Sequence, residues 1–457
     1  MTPNTFGRTP QKLAAVGGSA PTPNLQIQQH MGFDPYYLII GSSLIIILSF
    51  IFGEISRKTN VPSVLMLIIL GIGLKFGLEA MGMGDVDFFP ILEVLGIVGL
   101  IMIVLEAALE LKLKREKFLP IAKAMLIALI GLIASTWVAA LILARFVPGM
   151  DIASAWLYAT PLSILSSAII IPSVTGLNNN KKEFHIYEST FSDIMGIMLF
   201  YFLSGQIEAA EHSAGITGFG LNVLLTIVLS FVASYLIVFI FQQIRSHTKL
   251  FLLIAVLLLL YSIGKKAHLS SLIIILIFGL LIANMKLFFQ GKLGQWLHFE
   301  KAHEIYEGLH VVTMETAFVV RTFFFVIFGL TIDPMSLLDL NVAMISLLII
   351  ASIYIIRYII LRFFIGADIT PQLFIAPRGL ITVLLFYAIP ASAVVAGFEP
   401  GILLFVIIGT SIIMTIAMVY DKRRTEAATR RANEVPVGFE EWKAPTIQSI
   451  VDEGHSQ

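Results

Sequence analysis

Cysteine is absent from the 457-residue chain, which excludes disulfides and any thiolate-held metal. Charge is scarce as well: only 13% of the residues are Asp, Glu, Lys or Arg, and 30 basic side chains balance 30 acidic ones. That balance lacks the electrostatic footprint of a nucleic-acid partner. The nine histidines fall at no metal-ligand spacing. No Gly-rich phosphate loop or nucleophile elbow is present either, so neither a cofactor nor an enzyme is expected. What remains is hydrocarbon. The chain is 57% hydrophobic with a mean hydropathy of +0.90, a composition whose main solvent is the lipid bilayer.

A membrane span needs roughly 20 apolar residues. On that criterion about thirteen stretches stand out, near 36–53, 62–78, 90–111, 119–147, 152–176, 186–205, 218–244, 250–264, 269–288, 310–330, 341–364, 370–394 and 400–420. The breaks between them sort by charge. One alternating set holds 16 basic residues, from Arg57 and Lys58 to Lys422, Arg423 and Arg424; the other, with Arg8 and Lys12, holds six. Positive residues stay inside, so the amino terminus is expected outside and the carboxyl terminus in the cytoplasm. The organisation expected is a disordered polar leader over 1–35, not a signal peptide, a transmembrane domain over 36–420 and a cytoplasmic tail over 421–457.

Two spans carry helix breakers inside apolar sequence. The fifth contains Thr160-Pro161, Ser163, Ser166, Ser167 and Pro172; the twelfth contains Pro371 and Ala376-Pro377-Arg378-Gly379. With the seventh span as a connector, both are fifth in a six-helix half, and the halves run in opposite senses. An all-α polytopic fold of two inverted six-helix repeats with broken fifth and twelfth helices is the pattern of secondary transporters, in which the breaks offer carbonyls and helix ends to ions.

A charge in mid-bilayer is costly, by at least ~2.5 kcal/mol, which makes each intramembrane ionisable group a candidate. In the run Glu188-Ser189-Thr190-Phe191-Ser192-Asp193, Ser189 and Asp193 share a helix face. Hard monovalent cations take oxygen ligands: the Asp193 carboxylate, the Ser189 and Ser192 hydroxyls, and groups freed near Ser166 and Ser167. A carboxylate shielded from bulk water is also a group over which protons and cations compete. Arg378 needs an intramembrane anion, and Glu188 is the preferred partner, with freed carbonyls at the break as the alternative. Glu110 reads as a solvated acid, Glu106 as a deeper acceptor, and Glu315 and Arg321, six apart, share no helix face.

Several segments resemble the monovalent cation/proton antiporter superfamily: VPSVLMLIILGIGLKF at 61–76, VLEAALELKLK at 104–114, FFFVIFGLTID at 323–333, ESTFSDIMGI at 188–197 and APRGL at 376–380. The resemblance covers essentially the whole membrane region. It implies thirteen helices with a dimer-forming scaffold and a mobile core, alternating access, and exchange of Na⁺ or K⁺ for H⁺ at Asp193, a role suited to pH homeostasis. It also implies the Glu188–Arg378 pair. Two departures stand out. Ser166-Ser167-Ala168 replaces the usual Thr-Asp-Pro and is closer to the potassium-efflux branch, and Ser192 replaces the Asn or Asp before the essential Asp. Na⁺ and K⁺ both stay open. The expected picture is an electroneutral homodimeric exchanger in a bacterial inner (plasma) membrane. Its rivals are a gated cation channel, which should show a filter-like loop, a divergent transporter without proton coupling, and an intramembrane aspartyl hydrolase, which needs two facing aspartates.

Overall fold

The computed structural model describes residues 35–59, 61–80, 89–113, 115–211, 215–244, 249–266, 271–289 and 299–433. The leader up to residue 34 and the tail beyond 433 lie outside the described residues. Among those described, every regular element is helical. The α-helices run α1 Pro35–Thr59, α2 Ser63–Ala80, α3 Phe89–Glu110, α4 Phe118–Phe146, α5 Ile152–Ser163, α6 Ser167–Ser173, α7 Asn179–Glu211 and α8 Gly215–Phe241. They continue with α9 Lys249–Lys266, α10 Ser271–Ala283, α11 Met285–Phe288, α12 Phe299–Thr331, α13 Leu340–Phe364, α14 Leu380–Tyr387 and α15 Gly401–Asn433. Eight helical segments, one of them α5 with α6, are long and apolar enough to cross a membrane, and three shorter apolar helices accompany them.

The chain divides after Ile45. The first unit contributes the start of α1, where the Ser42 hydroxyl donates to the Ile39 carbonyl at 3.1 Å. In the second unit, apolar side chains face outward as well as inward. Leu119, Ile355 and Phe363 are 78, 60 and 82% exposed, a surface that only lipid can cover without penalty.

Helices of the second unit pack in two groups. α12 lies against α2 and α3, and α10 joins α3 to α8 and α9; in the other group α4 lies against α5, α7 and α13, with α15 on α13. α2 and α12 approach so closely that a Cβ on Gly71 would strike the Val326 carbonyl oxygen, and one on Gly329 would strike that of Ile68. Only hydrogen fits there.

The fifth and twelfth stretches are interrupted; the twelfth breaks across Pro377, whereas the fifth does not break at its prolines. Pro161 and Pro172 sit inside α5 and α6, and the break falls at Ile164–Ser166, where Ile164 and Ser166 are extended. Pro161 lacks an N–H and crowds the preceding turn, so α5 ends within three residues of it. The twelfth stretch is interrupted more fully than expected: 375–379 has no regular structure, only Leu380–Tyr387 is α-helical, and the chain is irregular from 388 to 400 apart from one short turn of 3-10 helix. α15 continues to Asn433, so the change of composition at 421 is no break in the backbone. Asp151 and Asp339 cap α5 and α13, each accepting two backbone N–H bonds, and Asp333 caps the short 3-10 turn after α12.

Gly329→Val should lower the melting temperature sharply or abolish folded protein, because main chain cannot yield as a side chain does; overpacking of a core typically costs about 1–3 kcal/mol even where side chains do give. Fluorescence-detected size exclusion after a heating series measures this, and an unchanged profile contradicts the close approach.

Candidate functional site

Within lipid a break in a helix releases N–H and C=O groups that water cannot satisfy. Here each of three consecutive N–H groups finds a partner. Leu165 N donates to Ser192 Oγ at 3.0 Å, Ser166 N to the Pro377 carbonyl at 3.0 Å, and Ser167 N to Asp193 Oδ2 at 3.2 Å. The first and third bonds pin the break to α7; the second pins it to the other interrupted segment. Two glycines permit the crossing. A Cβ on Gly379 would stand 2.5 Å from Ser166 Oγ, and one on Gly196 would strike the Ile164 side chain.

Asp193 is 1% exposed, and its Oδ1 has no hydrogen-bond partner among the described residues. A buried carboxylate oxygen left open, with its twin held by a backbone N–H, is arranged to take a proton or a hard cation. Around it the structure gathers Ser166, Ser167 and Ser192, all buried. Ser189 stands one turn earlier on α7. Its hydroxyl donates to the His185 carbonyl at 2.7 Å, so its proton is committed to its own helix and it makes no bond to Asp193.

The expected Glu188–Arg378 pair is not formed. Glu188, 1% exposed, is held by Arg357 of α13 in a two-pronged bridge: Nη1 to Oε1 at 2.7 Å and Nη2 to Oε2 at 2.9 Å. Arg357 Nε donates to the Gln372 carbonyl at 3.1 Å. His185 Nδ1 lies 3.3 Å from Glu188 Oε2 without the alignment of a hydrogen bond. Arg378 instead binds carbonyls: Nε donates to Leu162 O at 2.8 Å and Nη1 to Ala376 O at 3.2 Å. The reason is placement. Arg378 belongs to the irregular segment, within reach of carbonyls freed where α5 stops, whereas Arg357 projects from the continuous helix α13 onto Glu188 of α7. Sequence reasoning missed Arg357. Its signal was an arginine seven residues before the end of an apolar stretch, deeper than Arg362 in the last turn.

In the other group of helices, Arg321 Nη2 bonds Glu106 Oε2 at 3.1 Å, which accounts for two of the intramembrane charges. Glu110 is half-buried and Glu315 exposed.

Arg357→Met should destabilise the protein by about 3–5 kcal/mol, since it strands Glu188 as a buried unpaired charge, and adding Glu188→Gln should recover most of the loss. Thermal unfolding of the purified single and double variants tests this. A silent single variant would remove the pair from any structural role.

No curated protein sequence matches the chain. Among solved structures it is similar to the sodium proton antiporter MjNhaP1 from Methanocaldococcus jannaschii at pH 8, with a TM-score of 0.61 at 18% identity, covering 85% of this chain and 99% of that one. An electron-microscopy map of the same antiporter gives a TM-score of 0.57 at 15% identity over 90% of this chain and 100% of that one. Those likenesses establish the fold. The family model described as sodium/hydrogen exchanger, transmembrane, matches residues 44–419, nearly the whole helical region. The chain therefore belongs to the sodium/hydrogen exchanger family.

Proposed function

We propose that this protein exchanges one monovalent cation, Na⁺ or K⁺, for one proton at Asp193, by alternating access and without net charge movement. Cation/proton antiport is the activity of its family. The observation that carries the finer reading is the open Asp193 Oδ1, buried beside a helix break lined with serines. A proton or a cation on that oxygen neutralises the carboxylate, and a neutral site crosses hydrocarbon at far lower cost than a bare charge. Ser167 N–H holds Oδ2, so the carboxylate keeps its aim whichever ion is present. The Ser166, Ser167, Ser192 and Ser189 oxygens complete the cation shell.

Electroneutrality follows from counting acids. The break contributes Ser166-Ser167-Ala168 and no second carboxylate, while Glu188 is committed to Arg357. One exchangeable acid supports one proton per cation. Thirteen spans in two inverted repeats, an outside amino terminus, a cytoplasmic tail, assembly as a homodimer, a bacterial inner membrane and a role in pH homeostasis complete the proposal.

In proteoliposomes carrying a pH dye, pulses of Na⁺ or K⁺ should drive proton movement in the native protein and none above background in Asp193→Asn; exchange at the native rate in that variant would falsify the assignment. Because one oxygen serves both ions, the apparent KM for the cation should rise as pH falls. A cation KM indifferent to pH would mean separate sites. On a solid-supported membrane, sustained current during exchange would contradict the one-for-one stoichiometry.

A further inference from the structure

A second polar chamber lies behind the exchange site. It is a cavity of about 30 Å³ lined by α4, the end of α5, α7, α13 and the irregular segment before α14, and Asp193 does not line it. Its polar lining consists of Ser135, Ser163, Glu188, Ser192, Arg357 and Arg378; the rest is hydrocarbon. Two guanidinium groups and one carboxylate leave a net charge of +1. Glu188 is already gripped by both prongs of Arg357, so Arg378 has only carbonyl dipoles as partners.

The donors point the same way. Arg378 is 2% exposed, and its Nε and Nη1 are bonded while Nη2 meets no acceptor among the described residues. Ser135, 5% exposed on the neighbouring face of α4, likewise has no hydrogen-bond partner for its hydroxyl among them. Ser163 donates to the Ala159 carbonyl at 2.9 Å, and Ser192 accepts from Leu165 N at 3.0 Å, so these two are occupied. An unspent guanidinium nitrogen and an unspent hydroxyl thus border a cavity large enough for one or two waters or one small ion. The ionisable groups around it are Glu188 and His185 from α7, Arg357 and Tyr354 from α13, and Arg378 from the irregular segment; α4 offers only Ser135.

We propose that this chamber is a binding site for a small monovalent anion of chloride size, held by Arg378 and Ser135 as a resident counter-ion and not carried across the membrane. Water would meet the hydrogen-bonding demand and leave the excess positive charge uncompensated in hydrocarbon. A halide meets both. The anion belongs to the group of helices that holds Asp193, without touching it, and it serves whichever cation is exchanged.

The probe is radiolabelled chloride on the purified, full-length protein, with gluconate, too large for the chamber, holding ionic strength constant. Saturable binding of one chloride per chain is expected, together with a higher melting temperature in chloride than in gluconate. Gly131 lines the chamber, and a Cβ there would meet nothing nearer than Ile360 Cδ1 at 3.8 Å, so Gly131→Leu fills the space without pressing on backbone. That variant should fold, lose chloride binding and lose the difference in melting temperature; Ser135→Ala should weaken binding about tenfold. Absence of saturable chloride binding by the folded native protein, a chamber holding water only, overturns the proposal. Undiminished binding in both Gly131→Leu and Ser135→Ala overturns it equally, as does labelled chloride flux into proteoliposomes that tracks cation exchange. Asp193→Asn separates this site from exchange: chloride binding persists there even though cation exchange stops.

Discussion

In a lipid interior no backbone polar group is left to water, and the region around Asp193 is organised by that single requirement. Interrupting α5 and the segment before α14 exposes N–H and C=O groups at the same depth. The N–H groups are met by Asp193, Ser192 and the Pro377 carbonyl, and the carbonyls of Leu162 and Ala376 are met by Arg378. The side chains that repair the broken backbone are therefore the same ones to which the ion site is proposed to belong. Each interruption supplies what the other lacks, which ties the geometry around Asp193 to the correct crossing of two segments more than 200 residues apart.

Charge follows the same logic at a second level. Buried arginines and acids are distributed so that each helix group neutralises its own: Glu106 with Arg321 in one, Glu188 with Arg357 in the other. The bridge to Arg357 takes both oxygens of Glu188, whereas Asp193 keeps one oxygen without a partner among the described residues. Arg378 is the exception to pairing, since its partners are the carbonyls of Leu162 and Ala376 and not an acid.

Hydropathy made the helical architecture legible, because a span is a long run with one requirement. The start of α4 and the end of α13 fall within a residue of where the apolar runs begin and end. The buried acid at 193 was legible because it closes a polar run inside a stretch that is apolar from Ile194 on, and the serines at 166 and 167 because they cluster at the break. Partner choice was not legible. Glu188 had two arginines within plausible reach, and sequence separation carries no information about which of them sits on a helix facing α7 and which lies in a kinked segment turned toward carbonyls. The position of the α5 break was legible in the Ser166-Ser167-Ala168 run, and the prolines mark only its approach. Proline signals that a helix is in difficulty, yet it can occupy the last turn before the interruption and leave the extended residues to follow.

The seam between α2 and α12 has an evolutionary corollary. At most packed positions a larger residue on one helix can be accommodated by a smaller one opposite, and paired substitutions accumulate over time. Here the obstacle to a methyl group at Gly71 or Gly329 is the main chain of the facing helix, which every amino acid shares. No replacement across the seam can restore the lost space, so the two sites are constrained independently and a lineage that departs from glycine at either one must respace the helices themselves.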